Sequence, residues 1–211
     1  MEKKKMRNIW PILIIAVVII AIAFIASRFM FGGGGAIDNE PEAEVTGDSN
    51  VLVAYFSWSG NVQKIATWVS EETDGDLFRI VPEEAYGESF DECADRAQQE
   101  LNDGTRPALS SHIDPEVMAG YDVIYLGFPV WWYDLPMPVW TFLEEYDMEG
   151  KTIIPFFSHN GSSNGASSLD TVATLEPNST LLKDDALSIS GSSVAGSEQE
   201  VKDWVKEEEN K

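Results

Sequence analysis

Short apolar runs alternate with amphipathic stretches through most of this chain. Continuous apolar segments predict strands at residues 51–56, 77–81, 122–128, 152–157 and 181–189. Apolar positions with helical spacing predict helices at residues 61–73, 90–101, 138–146, 169–175 and 199–208. This alternation is typical of an α/β fold with a doubly wound, five-stranded parallel sheet that helices cover on both faces.

Ligands of such sheets bind outside the carboxyl ends of the strands, where the strand order reverses. The loops that follow the first, third and fourth predicted strands, residues 57–62, 129–134 and 158–165, are therefore the candidate site. The first loop, SWSGNV, places hydroxyls and a glycine at a strand-to-helix turn, where backbone N–H groups favour an anion. It has neither a Walker lysine nor a GxGxxG sequence, so it suits a phosphate that stays bound and is not transferred.

The other two loops add an aromatic surface and a polar one. The second loop, PVWWYD, follows a buried strand and suits stacking against a flat conjugated ring, although we expect one of its two tryptophans to cap the core. The third loop, SHNGSSNG, offers hydroxyls and backbone donors for the polar edge of a heterocycle, and an ordinary surface turn has the same composition. Together the loops indicate a site for a mononucleotide with a flat polar ring.

The body of the chain resembles a flavodoxin, in particular the short flavodoxin-like domains of bacterial membrane-attached or secreted proteins. The matching motifs are VLVAYFSWSGN, YDVIYLGFPVWWYDLPMPVWTFLE and GKTIIPFFSHNGSS, in the order of the family, and the resemblance covers residues 50–208. It implies a five-stranded parallel sheet of order 2-1-3-4-5 that binds flavin mononucleotide (FMN) non-covalently.

The resemblance also implies which residues contact FMN. Those that would hold the phosphate are Ser57, Ser59, Gly60 and Asn61, and Trp58 and Val62 of the same loop are also counted among the cofactor-binding residues. Those at the isoalloxazine are Pro129, Val130, Trp131 and Trp132. Those at the pyrimidine edge are Ser158, His159, Asn160, Gly161 and Ser163.

Three of these positions depart from the family pattern. Val62 stands where the family usually has threonine, and the loss of one neutral hydrogen bond, about 0.5–1.5 kcal/mol, would weaken FMN binding without abolishing it. His159 and Asn160 replace smaller residues that many relatives have. No catalytic residue is assigned with certainty, and His159 is a candidate general acid because a histidine titrates near neutral pH.

A bound FMN would make this a redox protein, either an electron carrier or an oxidoreductase that reduces a small substrate such as a quinone. The alternative is a flavodoxin-shaped domain that has lost the cofactor and serves as an anchored binding or structural module. Val62 and the unusual third loop motivate that alternative. The sequence does not indicate the electron donor or acceptor.

The first 49 residues differ from the body. A basic flank, residues 1–8, precedes an apolar run, residues 9–28, which is long enough to cross a bilayer as a helix. The positive-inside bias predicts a single-pass signal anchor with a cytoplasmic N-terminus and an extracytoplasmic body, or a secreted body if the helix is cleaved. Residues 29–49, rich in glycine and then in acidic residues, predict a flexible linker before the flavodoxin-like domain, residues 50–211.

Charge and cysteine content limit the partners. The chain of 211 residues has 14 Lys and Arg against 36 Asp and Glu, a formal net charge of −22. Nucleic acid and anionic lipid headgroups are therefore disfavoured. One cysteine, Cys93, excludes an internal disulfide, and with two histidines in the chain no metal site is expected.

Overall fold

The computed structural model describes residue 45, residue 47, residues 49–161 and residues 163–211. The predicted anchor and nearly all of the predicted linker lie outside the described residues. Within the part of the chain that is described, no helix combines the length and the apolar character needed to cross a membrane.

A parallel sheet forms the centre of the described structure. Its strands are β1 (Val51–Tyr55), β2 (Asp76–Arg79), β3 (Val123–Pro129), β4 (Thr152–His159), β5 (Thr180–Leu181) and β6 (Leu187–Ser190). The order β2-β1-β3-β4-β5 confirms the predicted order, and β6 also pairs with β4. The central strands β1, β3 and β4 are buried on both faces, as their continuous apolar sequences predict.

A sixth strand departs from the five that the sequence predicts. In place of one strand at residues 181–189, β5 pairs with the first half of β4 and β6 with the second half. The charged residues Lys183, Asp184 and Asp185 lie between them, and charged side chains favour solvent over a sheet interior. Lys183 forms an ion pair with Asp170, and the Asp185 carbonyl accepts a hydrogen bond from Trp204 Nε1 at 2.8 Å, so the interruption is held in place.

Helices cover both faces of the sheet. The helices are α1 (Asn61–Thr73), α2 (Phe90–Asp103), α3 (Pro115–Ala119), α4 (Met137–Glu145), α5 (Ala166–Leu175) and α6 (Glu198–Glu209). Helices α1 and α6 enclose one apolar core, whereas α2, α4 and α5 enclose the other. Each predicted helix is present, and the short helix α3, which Asp114 caps through the N–H of Glu116 at 2.8 Å, is an addition.

The strand register brings the three candidate loops to one edge of the sheet. Pro129, the last residue of β3, pairs with Ser158 of β4, so the second and third loops start side by side. The N–H of Phe56, just before the first loop, donates to Gly127 of β3 at 2.9 Å. The loops therefore meet at the carboxyl edge, where a parallel sheet places its ligand site.

Candidate functional site

A cleft of about 400 Å³ opens where the three loops meet. It is lined by helix α2 and the loops through Trp58, Ser59, Asn61, Phe90, Cys93, Ala94, Ala97, Pro129, Val130, Trp131, Trp132, Tyr133, Ser158, His159, Asn160 and Ser163. Its volume falls within the range of about 300–1,000 Å³ that is usual for small-molecule sites. None of these described lining residues is Asp or Glu, although the formal net charge of the chain is −22.

Not every predicted residue lines this cleft. Ser57, Gly60 and Val62 form the turn beside it, and Gly161 lines a neighbouring open depression of about 690 Å³. The other predicted contact residues from all three loops are brought together at the cleft.

The first loop presents the amino end of α1 to the cleft. Gly60 precedes the helix with a φ of +83°, and its N–H donates to Ser57 Oγ at 3.2 Å. Because Gly60 has no side chain with which to cap α1, the N–H groups of the first helical turn keep their capacity for an anion. A Cβ built on Gly60 would meet no atom within 4 Å, so the turn faces open space.

Val62 does not point its side chain into this turn. The side chain is 1% exposed and packs in the core between the sheet and helices α1 and α6. Valine carries no hydroxyl, so the buried side chain offers no hydrogen bond to the cleft.

The second loop is a tight turn with two strained aromatic residues. Trp131 and Asp134 exchange backbone hydrogen bonds of 3.1 and 2.8 Å, while Trp132 and Tyr133 between them have φ values of +49° and +68°. Such a turn is usually filled by Gly, Asn or Asp, because the left-handed conformation costs other residues roughly 1–2 kcal/mol each. Strain of this kind is concentrated at functional sites in proteins.

Asp134 and helix α2 hold the strained turn. The Asp134 carboxylate accepts hydrogen bonds from the Leu135 N–H at 2.8 Å and from Thr171 Oγ1 at 2.7 Å. On the other side, Trp132 Nε1 donates to the Ala94 carbonyl of α2 at 3.0 Å. The turn is thus fixed to helices on both of its sides.

The two tryptophans of this loop have different environments, as the sequence predicts. Trp131 packs edge-on against Phe56 and Tyr86, with ring centroids 5.2 and 5.0 Å away, and extends the core. Trp132 is 44% exposed and lines the cleft. One indole therefore supports the wall of the cleft and the other is available to a ligand.

The His159 side chain holds the start of the third loop. His159 Nδ1 accepts from the Gly161 N–H at 2.9 Å, which leaves the proton of the neutral imidazole on Nε2. The His159 carbonyl accepts from Gly191 at 2.9 Å, and a Cβ on Gly191 would lie 3.0 Å from the Asn61 side-chain nitrogen. The loop after β6, which includes Gly191, therefore adjoins the site and was not predicted as part of it.

Helix α2 supplies one wall of the cleft, a contribution that was not predicted from the sequence. Phe90, Cys93, Ala94 and Ala97 line the cleft with the spacing of one helix face. Cys93, Ala94 and Ala97 have the sequence pattern of an ordinary core stripe. The 66% exposure of the Phe90 side chain is the feature that distinguishes this helix face from a core-facing one. Burial is the main cause that raises the pKa of the Cys93 thiol to about 11, so the thiol is protonated at neutral pH.

Tyr86 lies behind the cleft wall and is not one of the lining residues. It is 7% exposed, its hydroxyl donates to buried Glu100, and the Arg96 guanidinium lies 4.2 Å from its ring centroid. Burial, reinforced by Glu100, raises the pKa of the Tyr86 hydroxyl above its usual range. Tyr86 therefore supports Trp131 from within the protein.

Comparison with known proteins identifies the family. The sequence model of the flavodoxin family matches residues 50–208, and the chain therefore belongs to the flavodoxin family, which confirms the resemblance in its motifs. A flavoprotein structure from Bacteroides uniformis is 35% identical, with a TM-score of 0.63, over 74% of this chain and 97% of that chain. One from Bacteroides eggerthii is 30% identical, with a TM-score of 0.58, over 74% of this chain and 95% of that chain.

A third structure shares the fold at lower identity. A flavoprotein from Lactobacillus acidophilus, solved in complex with FMN, is 23% identical with a TM-score of 0.54, over 69% of this chain and 95% of that chain. The comparison with curated proteins found no match.

Proposed function

We propose that this chain is an FMN-binding redox protein, which either carries electrons or reduces a small substrate such as a quinone. Membership of the flavodoxin family supports the proposal, and the Lactobacillus acidophilus flavoprotein is known in complex with FMN. The observation that carries it is the convergence of an uncapped helix terminus, a strained aromatic turn and a polar loop on one cleft with no acidic lining residue among those described.

The first loop fits the phosphate of FMN. Ser59 and Asn61 line the cleft with a hydroxyl and an amide, and the amino end of α1 adds backbone N–H groups and partial positive charge. A phosphate dianion on a chain with a net charge of −22 needs such local compensation. The absence of carboxylates from the described lining residues removes the nearest source of repulsion.

The second and third loops fit the isoalloxazine. Trp132 offers an exposed indole for stacking, and Ser158, Asn160 and Ser163 offer polar groups for the pyrimidine edge. When bound, FMN would supply the one- or two-electron chemistry, and the side chains would bind, orient and shield it. His159 Nε2 is a candidate proton donor at this edge, and no catalytic role is assigned to it.

The function is tested by the redox behaviour of the full-length chain loaded with FMN. The bound flavin would be reduced anaerobically and then mixed, in separate experiments, with a quinone and with a one-electron acceptor such as cytochrome c. We expect at least one acceptor to oxidise the reduced protein faster than it oxidises free reduced FMN. A preference for the quinone would indicate an oxidoreductase, and a preference for cytochrome c would indicate an electron carrier. Reoxidation of the protein no faster than that of free reduced FMN, with both acceptors, would contradict the proposal.

Variants can assign the loops to parts of the cofactor. Replacing Ser59 and Asn61 with Ala should weaken FMN about tenfold or more while riboflavin, which lacks the phosphate, is little affected. Replacing Trp132 with Ala should weaken both flavins, because the indole would contact the ring that they share. The control is Thr67→Ala, since Thr67 lies on the same helix and its hydroxyl bonds to the Gln63 carbonyl at 2.9 Å, away from the cleft lining.

We also propose that the flavodoxin domain lies outside the cytoplasm, attached to the membrane by the N-terminal segment. The apolar run at residues 9–28 and the basic flank before it support a signal anchor with the flavodoxin domain outside the cytoplasm. Protease added to intact cells should then degrade the domain. Full protection in intact cells, with digestion after lysis, would place the domain inside.

A further inference from the structure

Two basic side chains, Lys64 and Arg79, form no ion pair with any described residue, although the chain is strongly acidic. A third, Lys151, is buried and donates to the Tyr121 carbonyl at 2.6 Å. The other basic residues in the described part of the chain are all paired with carboxylates: Arg96, Arg106, Lys183, Lys202, Lys206 and Lys211. The two unpaired cations that are not buried both lie beside the first loop.

Arg79 reaches the first loop from strand β2. Leu77 and Arg79 are two positions apart on this strand, so they lie on the same face of the sheet, and Leu77 packs against the core that α1 and α6 enclose. On this face Arg79 Nη2 donates to the Ser57 carbonyl at 3.5 Å. A guanidinium carries five N–H donors, and this is the only hydrogen bond that the Arg79 side chain forms with the described residues. Four donors therefore remain available next to Ser57.

Lys64 approaches the same loop from helix α1. It is the fourth residue of this helix and is exposed. Side chains on a helix lean toward its amino end, so the Lys64 side chain leans toward Asn61, which lies one turn earlier and lines the cleft. No acidic residue lies three or four positions from Lys64, where an ion pair along the helix would require one.

The charges along α1 are the reverse of those that the helix dipole favours. Acidic side chains stabilise the amino end of a helix and basic ones the carboxyl end. Helix α1 has Lys64 in its first half and Glu71 and Glu72 near its carboxyl end, whereas α2, α3 and α6 each have acidic residues in the first turn. A cation near the amino end is unfavourable by itself, and a bound anion would offset that cost.

We propose that Lys64 and Arg79 supply positive charge to an anion at the amino end of α1, and that this anion is the phosphate group of FMN. The identity of the anion rests on the proposed function, but the cations belong to the protein. Neither residue lines the cleft of about 400 Å³, so both act from outside the pocket for the ring. The hydroxyls and N–H groups of the first loop fix the position of the phosphate, while these two side chains offset its charge on a chain of net charge −22.

The proposal is tested by titrating flavin-free, full-length variants with FMN and with riboflavin. Lys64→Gln and Arg79→Gln should each weaken FMN about three- to tenfold and leave riboflavin nearly unchanged, because only FMN carries the phosphate. Lys64→Arg and Arg79→Lys keep the charge and should retain most of the affinity for FMN. The difference between the wild type and the double glutamine variant should decrease as salt is raised.

Lys206→Gln is the matched control. Lys206 pairs with Glu72 at 3.2 Å, toward the carboxyl end of α1, so its replacement removes the same charge from the molecule at a distance from the first loop. The affinity of this variant for FMN should equal that of the wild type. Near-UV circular dichroism of each variant establishes that it is folded before affinities are compared.

Inorganic phosphate tests the anion site without a flavin. At equal pH and ionic strength, replacing chloride with phosphate should raise the Tm of the wild type and of Lys206→Gln more than that of the double glutamine variant. The general stabilising effect of phosphate acts on all three proteins, so the difference between them reports the site.

The outcomes separate this proposal from the proposed function. Normal FMN affinity in both glutamine variants, an equal loss of riboflavin affinity, or the same loss in Lys206→Gln would overturn the role of these cations and leave FMN binding intact. A chain that binds no FMN but shows the variant-sensitive effect of phosphate would retain the anion site and contradict the proposed function. The absence of both effects would overturn both proposals.

Discussion

Trp132 and Tyr133 are the residues at which local conformational preference and function are most clearly opposed. Both adopt positive φ values in a turn that glycine or asparagine would form at lower cost. The turn persists because Asp134 bonds to Thr171 and Leu135, and because the Trp132 indole bonds to Ala94. We interpret the retained strain as the cost of presenting two aromatic rings to the cleft.

Comparison of glycine with alanine at position 133 should distinguish the effect of backbone strain from the effect of losing the tyrosine ring. In Tyr133→Gly the strain of the left-handed conformation is relieved, whereas Tyr133→Ala removes the ring and keeps the strain, so the glycine variant should be about 1 kcal/mol more stable than the alanine variant. Urea denaturation measures this difference. Because both variants lack the Tyr133 ring, which lines the cleft, they should bind FMN with equal affinity. An alanine variant as stable as the glycine variant would show that the turn is unstrained.

The carboxyl of Glu176, which follows helix α5, should make stability depend on pH. Burial, with a smaller contribution from Asp147, raises the pKa of this carboxyl from 4.5 to about 7. A carboxyl with a raised pKa in the folded state binds its proton more tightly there, so its effect on stability is most favourable below about pH 4.5 and is lost as the pH rises to about 7.

Comparison with Glu176→Gln isolates this effect. The wild type should lose stability relative to the glutamine variant between pH 5 and pH 7, and the difference should become constant at higher pH. Denaturation midpoints at a series of pH values provide the measurement. Parallel profiles of the two proteins would show that Glu176 titrates normally.

At the scale of elements, the pairing of β3 with β4 fixes the loops, and Gly127 is central to it. Gly127 lies opposite Phe156, and a Cβ at this position would come within 2.3 Å of the Phe156 ring and 3.0 Å of Tyr55 Cβ. The glycine is therefore required by close packing, since the Phe156 ring occupies the space that a side chain would need.

Gly127→Ala should lower the free energy of unfolding by about 1–3 kcal/mol, because it overpacks the core. Gly196→Ala is the matched control, since a Cβ there would meet no atom within 4 Å and should change stability by less than about 1 kcal/mol. Adding Phe156→Leu should recover part of the loss caused by Gly127→Ala. Equal effects of the two alanine substitutions would contradict the packing argument.

Elements with a strong apolar period were predictable from the sequence, and the wall contributed by α2 was not. Helix α1 begins and ends where its pattern predicts, at Asn61–Thr73, and the register of β3 and β4 brings the predicted loops together. The division of the last predicted strand into β5 and β6 was harder to predict. The short sequence around Lys183 and Asp185 does not reveal that the chain leaves the sheet and then returns to it. The role of Phe90 could not be read because a helical stripe of Phe, Cys and Ala has the same sequence pattern whether it faces a core or a cleft.

At the scale of the whole molecule, the distribution of charge is the property that matters most. The chain has a formal net charge of −22, yet the described residues of the cleft include no carboxylate. Such an arrangement keeps the surface acidic and, under the proposed function, would let one cleft accept a phosphate. Long-range repulsion of anions should still act on the approach to the cleft, so FMN association should become faster as ionic strength is raised.

Stopped-flow mixing tests this expectation. The association rate of FMN should increase with salt, whereas that of uncharged riboflavin should change little over the same range. The riboflavin series is the control for salt effects on the protein. An FMN rate that decreases with salt would indicate that local positive charge dominates the approach.

We expect the cleft to hold FMN by both its phosphate and its ring. Equilibrium titration of the flavin-free, full-length chain with FMN and with riboflavin, followed by quenching of flavin fluorescence, tests it most directly. We expect one FMN per chain, bound with an affinity about tenfold or more higher than that of riboflavin. A folded chain that leaves the fluorescence of both flavins unchanged at high micromolar concentration, or that binds them equally, would contradict it.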